Sequence, residues 1–144
     1  MKLTERLNAY LADQMVMYIK LHNLHWYVTG RGFFKLHEKF EELYDETAKI
    51  IDDIAERILA LGEKPVANMK KALELTNTKE LTDDFIKADD AIRALKKDVE
   101  YWIRDTKAII ELAETEHDVV TADIFTGYLT EYEKLLWMLR AYIA

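Results

Sequence analysis

A chain of 144 residues is the size of one domain, and with half of it hydrophobic it can bury a core rather than stay disordered. It has no cysteine, which excludes disulfides, zinc–cysteine sites, iron–sulfur clusters and a thiol nucleophile, and suits a reducing cytosol. One proline and four glycines argue for long helices, a net charge of −7 opposes nucleic acid as a partner, and no apolar run is long enough to span a membrane.

The start, MKLTERLNAYLADQ, is amphipathic and has no signal-peptide core, so the expectation is a cytoplasmic α-helical protein. The first helix is expected from Thr4, as N-cap, to Val28, ahead of Gly30 and Gly32. Two stripes, Leu7-Tyr10-Gln14-Met17-Leu21-Leu24-Val28 and Leu11-Met15-Tyr18-His22-His25, make an unusually wide apolar arc. The second helix is expected over Phe33–Leu61, stopped by Gly62 and Pro65, with the stripe Phe33, Leu36, Phe40, Leu43, Thr47, Ile50, Ile54, Leu61. Residues 63–81 hold the main break, with a short helix expected over Ala67–Leu75.

The third helix is expected over Thr82–Glu116, capped by Thr82, with the stripe Phe85, Ala88, Ile92, Leu95, Val99, Trp102, Thr106, Ile109, Ala113. The fourth is expected from Val119 to the end, with Thr121, Phe125, Tyr128, Tyr132, Leu135, Leu139 and Tyr142 inward. Four long helices at this spacing predict an all-α four-helix bundle in one domain, 1–144, with a short helix in its long connection.

His25, His37, Glu41, Asp52 and Glu56 carry the chemistry, since imidazole with carboxylate suits iron, zinc or manganese. His37, Glu41, Asp52 and Glu56 sit about 100–200° around the second helix from its core stripe. A solvated polar face is the ordinary reading of such an arc. However, Ala48, Ile51, Ala55 and Leu59 share it, which implies a partner surface. His37 and Glu56 are about 28 Å apart along a helix, too far to share a metal within one chain. An antiparallel copy of the helix, with a two-fold axis near Tyr44–Glu46, would set His37 of one chain beside Asp52 and Glu56 of the other. Two equivalent sites per dimer follow, and His25 can join His37 across the Gly30–Gly32 connection.

The segments LHNLHWYVTG, FFKLHEKFEELYDE and IIDDIAERILALGEKP resemble the Dps family, the mini-ferritins, and the resemblance spans essentially the whole chain. It implies a ferritin-like bundle and a ferroxidase centre of His25 and His37 from one subunit with Asp52 and Glu56 from its two-fold mate. Glu41 stands where the family often has Asp, and Trp26 matches a tryptophan beside the centre that takes up oxidising equivalents or simply packs. The implied function is Fe²⁺ oxidation, preferably by hydrogen peroxide, with ferric oxide stored in a hollow dodecamer as protection against oxidative stress. Zinc can substitute at such a site. Asp118 and Asp123 match acidic pore positions that admit iron, and Asp118 reads equally well as a helix N-cap.

Weaker signals lose their case. HEKFE lacks the second histidine of a zincin helix. Glu114-Thr115-Glu116-His117 is a single Glu-x-x-His at a helix end, where the histidine suits the dipole. His22 reads as an interface neighbour of the centre. Two other classes remain: a DNA-binding nucleoid protein with little oxidase activity, which would still protect DNA without His25 and His37, and a purely structural helical assembly. The charge and the lack of a Lys/Arg-rich tail predict little or no DNA binding at physiological salt.

Overall fold

The computed structural model describes residues 2–144. The elements in order are α1 (Leu3–Tyr27), β1 (Val28–Thr29), α2 (Phe33–Ala60), α3 (Met69–Leu75), β2 (Ile86–Lys87), α4 (Ala88–Thr115) and α5 (Val119–Ile143). The chain divides into two compact units, Met1–Ala88 and Asp89–Ala144. No helix among the described residues is long and apolar enough to cross a membrane.

In the first unit α1 buries Leu7, Tyr10, Leu11, Met17, Leu21 and Leu24, and α2 buries Phe40, Ile54 and Ile58. Each large side chain removed from water contributes about 1.5–3 kcal/mol before entropic costs. The reversal between the two helices is sharp because Gly30 and Gly32 take φ of 102° and 80°, a left-handed backbone open to glycine at little cost. α2 closes on Gly62, φ 86°, where Glu63 N–H donates to the Ile58 carbonyl at 3.1 Å in a Schellman pattern.

Polar groups of α1 strap the long connection. Asn8 donates to the Lys64 carbonyl at 3.1 Å and accepts from Val66 N–H at 2.8 Å. Asp13, 1% exposed, accepts from Thr76 Oγ1 at 2.7 Å and from the N–H groups of Asn77 and Thr78 at 2.7 and 3.2 Å. Asn23 donates to the Thr82 carbonyl at 2.9 Å, and β1 pairs in parallel with β2, Val28 against Ile86.

These straps account for the largest departure from the sequence expectation. The helix placed from Thr82 starts at Ala88 instead, because residues 82–87 are drawn into contacts with α1 and β1. Phe85 is therefore not a core residue of that helix; it is 77% exposed and meets Tyr27 edge-on. At the other end of the chain α1 starts at Leu3 with Lys2 in the cap position, so Thr4 is helical rather than the cap. The short helix is Met69–Leu75, capped by the Asn68 side chain on Lys71 N–H. In α2, Ile58 is fully buried, whereas Phe33, Ile50 and Leu61 of the expected stripe are half-buried.

In the second unit α4 buries Ile92, Leu95, Val99, Trp102, Thr106, Ile109 and Ala113, the expected stripe from Ile92 onward. Thr121, Phe125, Tyr132, Leu135 and Leu139 of α5 are buried, and Trp102 meets Tyr132 at 5.2 Å. Between the helices His117 takes φ 58° and Asp118 N–H donates to the Ala113 carbonyl at 2.8 Å.

Candidate metal centre

The glycine reversal sets the last turn of α1 beside the opening of α2, and so places His25 beside His37. Their rings stack, with centroids 3.6 Å apart and planes 10° from parallel. His25 Nδ1 lies 2.6 Å from the carbonyl oxygen of His37, and His37 Nδ1 lies 2.7 Å from the carbonyl oxygen of His25. A carbonyl oxygen can only accept, so each Nδ1 donates and carries the ring's proton. Each Nε2 is then left with its lone pair, the form of imidazole that binds a metal. His25 is buried and His37 half-buried, and Phe33 stacks on His37 in turn at 5.2 Å.

Glu41 is one turn beyond His37 on α2. Its Oε1 stands 3.8 Å from His25 Nε2, too long for a hydrogen bond. Tyr44 follows one turn on, on the neighbouring position of α2. Desolvation, then the negative charges of Glu41 and Asp45, push the Tyr44 hydroxyl above its ordinary value. His22, one turn before His25, stacks on Tyr44 at 3.8 Å and 19°. Its Nδ1 lies 2.7 Å from the Tyr18 carbonyl oxygen and donates to it.

Asp52 and Glu56 lie elsewhere. Both are exposed on α2, 15 and 19 residues beyond His37, about 22 and 28 Å along a helix axis. Among the described residues no hydrogen bond or ion pair holds either one. Nor do three His, Cys, Asp or Glu side chains converge among the described residues to hold a metal within one chain. The chain thus brings His25, His37 and Glu41 together and keeps Asp52 and Glu56 apart from them. The α2 face that bears the two acids also carries exposed Ala48, Leu59 at 58% exposure, and half-buried Ile51 and Ala55.

Trp26 follows His25 in the chain with its indole 64% exposed and 5.2 Å from the His22 ring. At the start of α5, Asp118 is an N-cap: its Oδ1 accepts from Thr121 N–H at 3.0 Å and its Oδ2 from Thr121 Oγ1 at 2.6 Å. Asp123 is exposed, and Val119 and Val120 beside it are 76% and 51% exposed. The contact the sequence reading missed is the His22–Tyr44–Glu41 set, because tyrosines on a helix stripe read as packing. The available signal was the three-residue step from Glu41 to Tyr44 at the edge of the polar arc.

Comparison with known proteins gives the family and the fold. The model of the ferritin-like domain matches residues 4–144. A DNA protection during starvation protein of Bacillus anthracis is 49% identical over 139 residues, which is 96% of this chain and 94% of the relative. The crystal structure of a Dps protein from Bacillus brevis superposes with a TM-score of 0.95 at 37% identity, covering 99% of this chain and 95% of that one. A Dps protein of Vibrio cholerae, described as a member of a broad superfamily of ferritin-like diiron-carboxylate proteins, superposes at 0.93 with 34% identity, covering 99% and 89%. The all-α ferritin-like fold expected from the sequence is therefore the fold of the chain.

Proposed function

The chain belongs to the Dps family of ferritin-like proteins, and from that premise we propose that it is a ferroxidase and iron store whose centres are built between two copies of the chain. One observation carries the reading: His25 and His37 lock each other's Nδ1 and leave both Nε2 atoms free. The carboxylates that would complete the set, Asp52 and Glu56, stand exposed along α2 with an apolar face around them. An antiparallel second copy of α2, related by a two-fold axis near Tyr44–Glu46, would bring the second copy's Asp52 and Glu56 to this chain's histidines, and the reverse. Closed assemblies with such axes, a dodecameric shell in this reading, would enclose the ferric product.

Ferrous iron is the substrate. Two ferrous ions give one electron each to hydrogen peroxide, which takes up two protons and leaves as two waters. Because the electrons leave as a pair, little hydroxyl radical escapes. The ferric ions hydrolyse and collect as oxide. Imidazole and carboxylate suit iron in both oxidation states, and zinc competes for the same donors. Trp26 takes up oxidising equivalents that miss the iron. Asp123, with Asp118 behind it, lines the path by which iron enters, in a funnel that Val119 and Val120 make less acidic.

Relatives carry the name DNA protection during starvation protein. For this chain the protection would come from removing peroxide and free ferrous iron in the cytoplasm, since a shell of chains each at −7 repels phosphate. A clear mobility shift of plasmid at physiological salt would contradict this. The function itself is tested by adding Fe²⁺ anaerobically to assembled protein, then hydrogen peroxide, and following ferric absorbance in wild type and His25→Ala/His37→Ala. Rapid oxidation lost in the double variant supports the reading. Equal rates would make the histidines structural.

A further inference from the structure

We propose that residues 82–87 are a two-state segment: clipped to α1 they form part of the strap, and once the clip is released they fold as the first turns of a longer α4 that starts at Thr82. The switch needs neither the metal centre nor iron.

Two sets of signals compete for these six residues. Locally they read as helix. Thr82 is a good N-cap, and Asp83 and Asp84 suit the positive end of a helix. Phe85 continues the stripe of Ala88, Ile92 and Leu95 in steps of 3, 4 and 3. Those three residues of α4 are buried, whereas Phe85 is 77% exposed and meets Tyr27 edge-on at 5.6 Å. No proline or glycine within 82–87 opposes a helix there.

The clip that overrides these signals is thin. Asn23 donates to the Thr82 carbonyl at 2.9 Å, Thr29 Oγ1 donates to the Ile86 carbonyl at 3.1 Å, and β2 pairs with β1 over two residues. Both side chains hold carbonyls that a helix from Thr82 would use for itself. In that helix the Thr82 carbonyl accepts from Ile86 N–H and the Ile86 carbonyl from Asp90 N–H. The clip therefore occupies acceptors that the helix needs. Release sets Phe85 on the stripe of Ala88 and Ile92. It also opens the edge of β1, whose Val28 is buried and lies three residues beyond His25. A local preference opposed by long-range contacts, and settled by a few hydrogen bonds, makes a segment bistable.

Hydrogen–deuterium exchange of the full-length protein reads the two states at Asp89 and Asp90. As the second and third residues of α4, their N–H groups have no acceptor inside the helix. In a helix from Thr82 they bond to the Phe85 and Ile86 carbonyls and exchange more slowly. Asn23→Ala/Thr29→Val removes both side-chain contacts and keeps a β-branched residue in β1. Exchange at Asp89 and Asp90 should then slow about tenfold, the shift expected from removing two hydrogen bonds of the strap. A crystal structure of the variant should show α4 starting at Thr82 in place of Ala88. Asn23→Ala alone should act in the same direction with a smaller effect. Adding Phe85→Gly, which removes the stripe residue and disfavours helix, should restore fast exchange. Unchanged exchange at Asp89 and Asp90 in the double variant would overturn the proposal. So would faster exchange throughout 82–90, the mark of a segment that merely unravels, or a slowing that survives Phe85→Gly.

Discussion

His25 and His37 hold each other by reciprocal hydrogen bonds, each Nδ1 on the other's backbone carbonyl at 2.6 and 2.7 Å. The pair fixes both tautomers before any metal arrives, and it does so with main-chain atoms that no side-chain substitution can remove. In metal-free protein the neutral form of each ring should carry its proton at Nδ1. Nitrogen-resolved NMR of the imidazoles checks this. Protonation at Nε2 in either ring would remove the free lone pair on which the centre depends.

Tyr44 gives the account a pH signature. Desolvation first, then Glu41 and Asp45, raise its hydroxyl above the ordinary value of 10.0. The folded chain thus holds the phenol proton more tightly than the unfolded chain does. That contribution to stability is complete below pH 10 and is lost as the pH rises through the raised value. Thermal melts compared across this range should show wild type losing more stability than Tyr44→Phe. Parallel curves would contradict the assignment.

The strap at Asp13 is open to a direct stability test. Asp13 is 1% exposed and serves three donors from residues 76–78. Asp13→Ala leaves Asn77 N–H without its acceptor and Thr78 N–H with Thr76 Oγ1 at 3.0 Å, and the loss should be about 1–3 kcal/mol in urea unfolding. Asp13→Asn keeps one acceptor oxygen and should recover part of it. A loss under about 0.5 kcal/mol for the alanine variant would mean that water replaces the carboxylate.

Asp118 can be divided between its two roles. Both of its oxygens are engaged by Thr121. Asp118→Ala should cost about 0.5–2 kcal/mol as a lost N-cap. Asp118→Asn retains a capping oxygen and removes the charge, so it should melt near wild type. If the residue also lines the iron path, the asparagine variant slows the uptake of ferrous iron by assembled protein. Unchanged uptake would leave Asp118 with the cap alone and Asp123 as the acid that matters.

What was legible in the sequence follows a physical division. Helix spans set by local signals were readable: the Gly30 and Gly32 reversal, the Gly62 stop and the stripe from Ile92 to Ala113 all rest on neighbours within one turn or on glycine's backbone freedom. The start of α4 was not readable. Thr82 with Asp83 and Asp84 is a good local cap, and it is overridden by Asn23 and β1, which lie about sixty residues away in sequence. The pairing of His25 with His37 was readable from the short connection. The Asp13 strap was half visible, since Asp13 falls on the same face as Tyr10 and Met17 and a charge there needs a partner. The stacking of His22 on Tyr44 required the actual approach of α1 to α2, which periodicity does not specify.

The central claim is that each centre is shared between two chains, and mixed assembly tests it most directly. Chains bearing His25→Ala/His37→Ala are co-assembled at equal ratio with chains bearing Asp52→Ala/Glu56→Ala, and iron oxidation by peroxide is measured. Each parent assembly alone should be inactive. Random mixing makes half of the dimers mixed, and each mixed dimer regains one intact centre of two, so about one quarter of the wild-type activity should return. Mixed assemblies as inactive as both parents would show that histidines and carboxylates must lie on the same chain, and the shared centre would be wrong.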